Sequence, residues 1–147
     1  MVKTAYYDTA FLLRALCNEY GYEKVRTHAD QMKCLYSSMH GRAECVSAFH
    51  RKWRENFITK EQENQILQQL DDDTRRGFFK WLPLTEKHLA RVESAFRKAP
   101  QDLFLRASDA LHLAVAAEYG FKEIFSNDRH LLTVAPLFGL KGKNLLA

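Results

Sequence analysis

The stretch LRASDALHLAVAAEYG, residues 105–120, decides how this chain folds. After Ser108 it reads Ala110, Leu111, Leu113, Ala114, Val115, Ala116 and Ala117, apolar on nearly every side. A helix of that kind belongs in an interior. Yet Asp109 stands near its beginning, and an aspartate is almost never fully buried without a partner. The segment therefore marks both the core and a place where charge must be compensated. Gly120 is positioned to end the helix, and residues 123–125 follow as a short strand.

Upstream, residues 2–7 are rich in β-formers and lead directly into Phe11, Leu12, Leu13 and Leu16 at helical spacing. Residues 33–38 (KCLYSS) predict a second strand; Ala43, Val46, Phe49, Trp53 and Phe57 predict a helix after it. Residues 61–70 form another helix, and the acidic triplet Asp71, Asp72, Asp73 with Thr74 is the expected break. Residues 78–84 (FFKWLPL) predict a third strand, with Pro83 marking an edge position or the strand's end. Thr85 is the expected N-cap of TEKHLARVESAFRKA, with Glu86 in its first turn and Lys98 in its last. Leu132 and Leu137 bracket a short helical connection, and residues 142–146 form the expected last strand. Strands alternating with helices imply an α/β fold: a mostly parallel sheet of about five strands, covered on both faces. Ligands of such sheets collect beyond the carboxyl ends of the strands, where the strand order reverses.

The composition sets broader limits. A length of 147 residues suits one domain, residues 1–147, around a single core. A net charge of +4 permits an anionic partner such as nucleic acid, although many plain domains carry as much. Cys17, Cys34 and Cys45 are odd in number and form no C-x-x-C pair. That argues against a disulfide framework or a thiolate zinc site, and fits a reducing cytoplasm. The start, MVKTAYYD, has no signal-peptide core, and no apolar run approaches the roughly 20 residues that cross a membrane.

Four acids have placements that matter under the strand-end rule. Asp8 directly follows the first strand in TAYYDTAF, and Asp128 closely follows the fourth in IFSNDRHL. Glu44 lies in the first turn or so after the second strand, and Asp109 reaches the same edge if the preceding loop carries it there. Converging without a cation, these carboxylates would repel one another strongly. Hard divalent cations favour oxygen ligands, and Mg²⁺ commonly takes one or two carboxylates while keeping several waters. Each acid also has a plainer reading. Asp8 and Asp109 could cap helices, Asp128 could start a turn, and Glu44 could be a solvated residue near a helix N-terminus. The joint placement favours a cation site. His112 reads as a packed or hydrogen-bonded helix residue and His130 as an exposed one. No H-E-x-x-H, G-x-S-x-G or P-loop sequence points to another chemistry.

In order, the D-T at Asp8, the helical Glu44, S-D-A-L-H-L-A from Ser108 and S-N-D from Ser126 resemble the PIN-domain ribonucleases. Within them the pattern is most similar to the VapC-type toxins of toxin–antitoxin pairs, over residues 7 to about 140. The resemblance implies a three-layer α/β/α PIN-like domain. It gives Asp8, Glu44, Asp109 and Asp128 the places of the catalytic, metal-binding acids, with Mg²⁺ or Mn²⁺ as cofactor. Thr9 and Ser126 match neighbouring hydroxyls, though both also read as ordinary capping or turn residues. The implied activity is hydrolysis of single-stranded or looped RNA to a 5′-phosphate and a 3′-hydroxyl. The implied partners are RNA, a cognate antitoxin and a second copy of the chain, with no membrane. Two alternatives are an RNA-processing nuclease without a toxin role and a non-catalytic module that holds RNA or protein. Arg14, Arg42, Arg51, Lys52 and Arg54 are expected to steer phosphate at the rim, or else to form a solvated face. Phe11, Leu12, Leu13, Leu16, Tyr20 and Tyr22 offer either internal packing or a surface for an antitoxin segment.

Overall fold

Period-two burial fixes how the sheet sits between its helices. Ala5 and Tyr7 face one apolar cluster, and Tyr6, between them, faces the other. The computed structural model describes residues 3–147, so the expected strand start at Val2 lies outside the described residues. The strands are β1 (Thr4–Tyr6), β2 (Cys34–Ser38), β3 (Phe79–Leu82), β4 (Glu123–Phe125) and β5 (Lys141–Lys143). β1 pairs with β2, β2 with β3, and β4 with β5, all in parallel. A single parallel bridge, Tyr7 to Phe125, joins the two groups, and the Asp8 amide donates to the Phe125 carbonyl at 3.1 Å. The strand order is therefore β3-β2-β1-β4-β5, split three and two. Its reversal falls at the seam between β1 and β4.

One face is covered by α1 (Thr9–Leu16), α2 (Tyr22–Asp30), α3 (Met39–Arg54) and α4 (Lys60–Arg75). The other is covered by α5 (Glu86–Lys98), α6 (Ala107–Glu118), α7 (Arg129–Val134) and a 3-10 turn, Ala135–Phe138. This is the α/β/α arrangement expected of the sequence. Ala110, Leu113, Ala114, Val115 and Ala116 of α6 are all fully buried, as an all-round apolar helix requires. β3 lies at the sheet edge and ends just before Pro83. Thr85 caps α5, its amide donating to His88 Nδ1 at 3.0 Å. No helix among the described residues is long and apolar enough to cross a membrane.

Two local expectations differ in the structure, and one helix stands where the sequence carries no clear period. The acidic triplet does not break α4: Asp72 and Asp73 accept hydrogen bonds from Gln68 and Gln69 one turn back, and pair with Arg75 and Arg76. These contacts neutralise acids that a helix C-terminus would otherwise disfavour. Gly77, at φ +79°, follows the helix end. Helix α2 was not foreseen, because only Val25 and Ala29 are buried and a two-residue stripe gives no clear period. β5 is Lys141–Lys143 rather than residues 142–146.

Candidate active site

The seam between β1 and β4 concentrates polar groups that the core would otherwise reject. Asp8 is 4% exposed. One carboxylate oxygen caps α1 by accepting from the Phe11 amide at 3.0 Å, and the other accepts from the Ser126 hydroxyl at 2.5 Å. Ser126, fully buried, also accepts from the Asp128 amide at 2.9 Å, so one hydroxyl ties the two strand ends together. Burial outweighs these contacts and the nearby His112, and lifts the Asp8 pKa to about 6. Asp8 is thus a helix cap that also lines the cavity at the seam.

Asp128 caps α7, accepting from the His130 and Leu131 amides at 2.8 and 3.3 Å. Its other oxygen pairs with Arg106, whose Nε also donates to Asp109 at 2.7 Å. Arg106 is the N-cap residue of α6, and Asp109 lies in the first turn. Burial raises the Asp109 pKa although Arg106 opposes it. Asp128 is lowered: burial opposes ionisation, but Arg106 and the two amides outweigh it. Arg106 therefore pairs with both acids, outweighing burial at Asp128 and offsetting it in part at Asp109, three residues on at the start of the apolar helix.

Glu44, on the first turns of α3, is held from three sides. Thr9 donates to one oxygen at 2.7 Å and Ser108 to the other at 2.8 Å, while His112 Nε2 lies 3.4 Å away. Burial acts against ionisation, yet the bonds from His112, Thr9 and Ser108 win and hold the pKa at about 2. His112 is buried and hydrogen-bonded, as the sequence indicates, with Tyr6 Oη 2.8 Å from its Nδ1 and Thr9 Oγ1 3.0 Å from its Nε2. Since the Thr9 proton points to Glu44, the His112 Nε2–H donates to Thr9 and Tyr6 donates to Nδ1. His40 packs beside it with ring centroids 4.2 Å apart, its Nε2 3.2 Å from the Ser108 carbonyl. Burial and the neighbouring His112 drive the His40 pKa down to about 4.

Asp8, Thr9, Glu44, Arg106, Ser108, Asp109, His112 and Asp128 line one open cavity of about 320 Å³. All four acids marked in the sequence meet there. The cations expected at the rim do not line it. Arg42 pairs with Asp71 at 3.3 Å, Lys52 pairs with Glu19 at 2.6 Å, and Arg14 bonds the Tyr20 and Ala10 carbonyls. Arg51 and Arg54 lie exposed at the end of α3. The lining cation is Arg106, signalled in sequence only by its i, i+3 spacing to Asp109. His130 is half-buried against Phe104, with ring centroids 4.6 Å apart, rather than exposed.

A family model described as the PIN domain matches residues 5–136. No curated protein matches the chain by sequence. Among solved structures, FitAcB from Neisseria gonorrhoeae superposes with a TM-score of 0.75 at 16% identity, covering 96% of this chain and 97% of its own. VapBC2 from Rickettsia felis, bound to a DNA fragment from its promoter, gives 0.67 at 15%, covering 96% and 98%. Mycobacterium tuberculosis VapC20, a Sarcin-Ricin loop cleaving toxin, gives 0.67 at 13%, covering 88% and 94%.

Proposed function

The chain belongs to the PIN-domain family, and from that premise we propose that it is a divalent-metal-dependent endoribonuclease, the toxin of a VapBC-type pair. Residues 1–147 act as one domain in the cytoplasm. The observation that carries this reading is the meeting of Asp8, Glu44, Asp109 and Asp128 around one cavity at the strand-order reversal.

The donor set fits a hard cation. Carboxylate oxygens suit Mg²⁺ or Mn²⁺, and Arg106 already demonstrates that Asp109 and Asp128 accept positive charge between them. Asp8, Asp109 and Asp128 would hold the ion, with Glu44 beside it. When bound, the ion supplies a water of lowered pKa and positive charge for the phosphoryl oxygens of the transition state. With a pKa near 2, Glu44 stays ionised and is a weak base. Its two oxygens, already accepting from Thr9 and Ser108, suit it to orient a water beside the ion. Thr9 and Ser108 keep that carboxylate aimed, and Ser126 keeps Asp8 and Asp128 in register. The open cavity suits single-stranded or looped RNA, whose backbone is free to enter.

The antitoxin would lie near α1. Phe11, Leu12 and Leu13 are consumed by the core, but Leu16, Cys17, Phe57, Ile58 and Ile66 line a groove of about 460 Å³, and Tyr20 nearby is 85% exposed. A two-fold pair of chains would set two acidic cavities side by side. The test of the activity is incubation of the purified chain with pooled RNA, with Mg²⁺ or with a chelator, followed by end-group analysis. Cleavage to 5′-phosphates only in Mg²⁺ is expected. Intact RNA under every divalent ion would overturn the nuclease reading.

A further inference from the structure

Around Glu44 the chemistry differs from that of the acids paired with Arg106. His40 Nε2 and His112 Nε2 lie 3.7 and 3.4 Å from Glu44 Oε1, and one ligand atom from each residue falls within 4.8 Å of the others. We propose that His40, Glu44 and His112 form a second cation site, one that takes an ion of the Zn²⁺ class in preference to Mg²⁺. Tetrahedral coordination at 2.0–2.1 Å sets ligand atoms roughly 3.3 Å apart, close to the two nitrogen–carboxylate distances, and the third edge, within 4.8 Å, would close to match.

The surroundings of each ligand support the assignment. A metal-binding imidazole almost always has its other nitrogen held by a hydrogen-bond partner. Here Ser38 Oγ sits on His40 Nδ1, and Tyr6 Oη sits 2.8 Å from His112 Nδ1. Exchanging tautomers, so that each Nδ1–H donates to its oxygen, would free both Nε2 lone pairs without any net loss of a proton, the bound ion taking the place of their contacts to the Ser108 carbonyl and Thr9 Oγ1. The carboxylate is likewise aimed, by Thr9 and Ser108. α3 carries Gly41 where His112 approaches it: a Cβ there would lie 2.9 Å from His112 Cε1. Two imidazole nitrogens and one carboxylate favour a borderline ion over the oxygen-seeking Mg²⁺.

The inference stands apart from the nuclease reading, because binding is measured without RNA. Tag-free protein is titrated with Zn²⁺ against a chromophoric chelator in millimolar Mg²⁺, and the visible spectrum is recorded with Co²⁺ as a substitute. One Zn²⁺ per chain is expected, with the intense absorption of low-coordinate Co²⁺. His40→Gln should weaken binding at least about tenfold, whereas His50→Gln and the Asp109→Asn, Asp128→Asn double variant should still bind. Absence of stoichiometric Zn²⁺, an aquo-like Co²⁺ spectrum, or loss of binding in the double variant would overturn the site. A chain that cut RNA yet bound no Zn²⁺ would refute this inference alone.

Discussion

Asp109 and Asp8 resolve the problem of charge beside an apolar helix in different ways. Asp109 is paired by Arg106, while Asp8 sits under burial that favours its neutral form. A carboxyl whose folded pKa lies above its unfolded value binds protons more tightly when folded. Its stabilising effect is complete below pH 4 and is lost as pH rises through about 6. Asp8→Asn keeps an N-cap and removes that loss. Without metal at pH 7.5 the variant should be more stable by on the order of 2 kcal/mol, a rise of several degrees in melting temperature that vanishes near pH 4. Glu44 behaves oppositely, contributing stability above pH 4.5 that disappears as pH falls towards 2. Arg106→Gln should lower the metal-free melting temperature at neutral pH, because Asp109 and Asp128 lose their shared cation. Calorimetric scans should then show a larger stabilisation by Mg²⁺ than in the native chain; an unchanged Mg²⁺ effect would mean that Arg106 and the ion do not share these acids. The acids were legible because each follows a strand end or opens a helix. Arg106 offered only its i, i+3 spacing to Asp109, since its contact with Asp128 spans 22 residues, and His40 meets Ser108 across 68.

The elements follow the strength of their periodic signal. α6, apolar all round, was plain from its residues, and its core role predicts that Leu113→Ala costs about 2–5 kcal/mol in denaturant melts. α2 was missed because two buried residues leave no stripe, and α4 outlasted its acidic triplet through side-chain pairs that a composition rule does not weigh. Gly41 offers a sharper test. Gly41 stands in the first turn of α3, and replacing a helical glycine by alanine ordinarily gains up to about 1 kcal/mol. Here the added Cβ would meet His112 Cε1 at 2.9 Å and Ser37 Oγ at 3.0 Å, and His112 is pinned by Tyr6 and Thr9. Gly41→Ala should therefore destabilise; a melting temperature raised by the change would show that the His112 network yields freely.

On the scale of the molecule, three-residue strands make the sheet part between β1 and β4, and the parting is where the acids meet. Strand alternation announced the sheet and its reversal edge, but not the three-plus-two split, which depends on a single bridge. The toxin reading also expects a stable complex with an antitoxin encoded beside this chain, seen as co-elution at micromolar concentration, and separate elution would remove that role. The central claim is that Asp8, Asp109 and Asp128 would hold a divalent ion for RNA cleavage, and Asp109→Asn tests it most directly. Cleavage of one RNA and melting with and without Mg²⁺ are followed in parallel for the native chain and the variant. A neutral amide is a poor ligand for a hard cation, so cleavage and most of the Mg²⁺-dependent rise in melting temperature should disappear from a variant that still folds. A variant that cut the RNA at the native rate, with its Mg²⁺ stabilisation intact, would contradict the account.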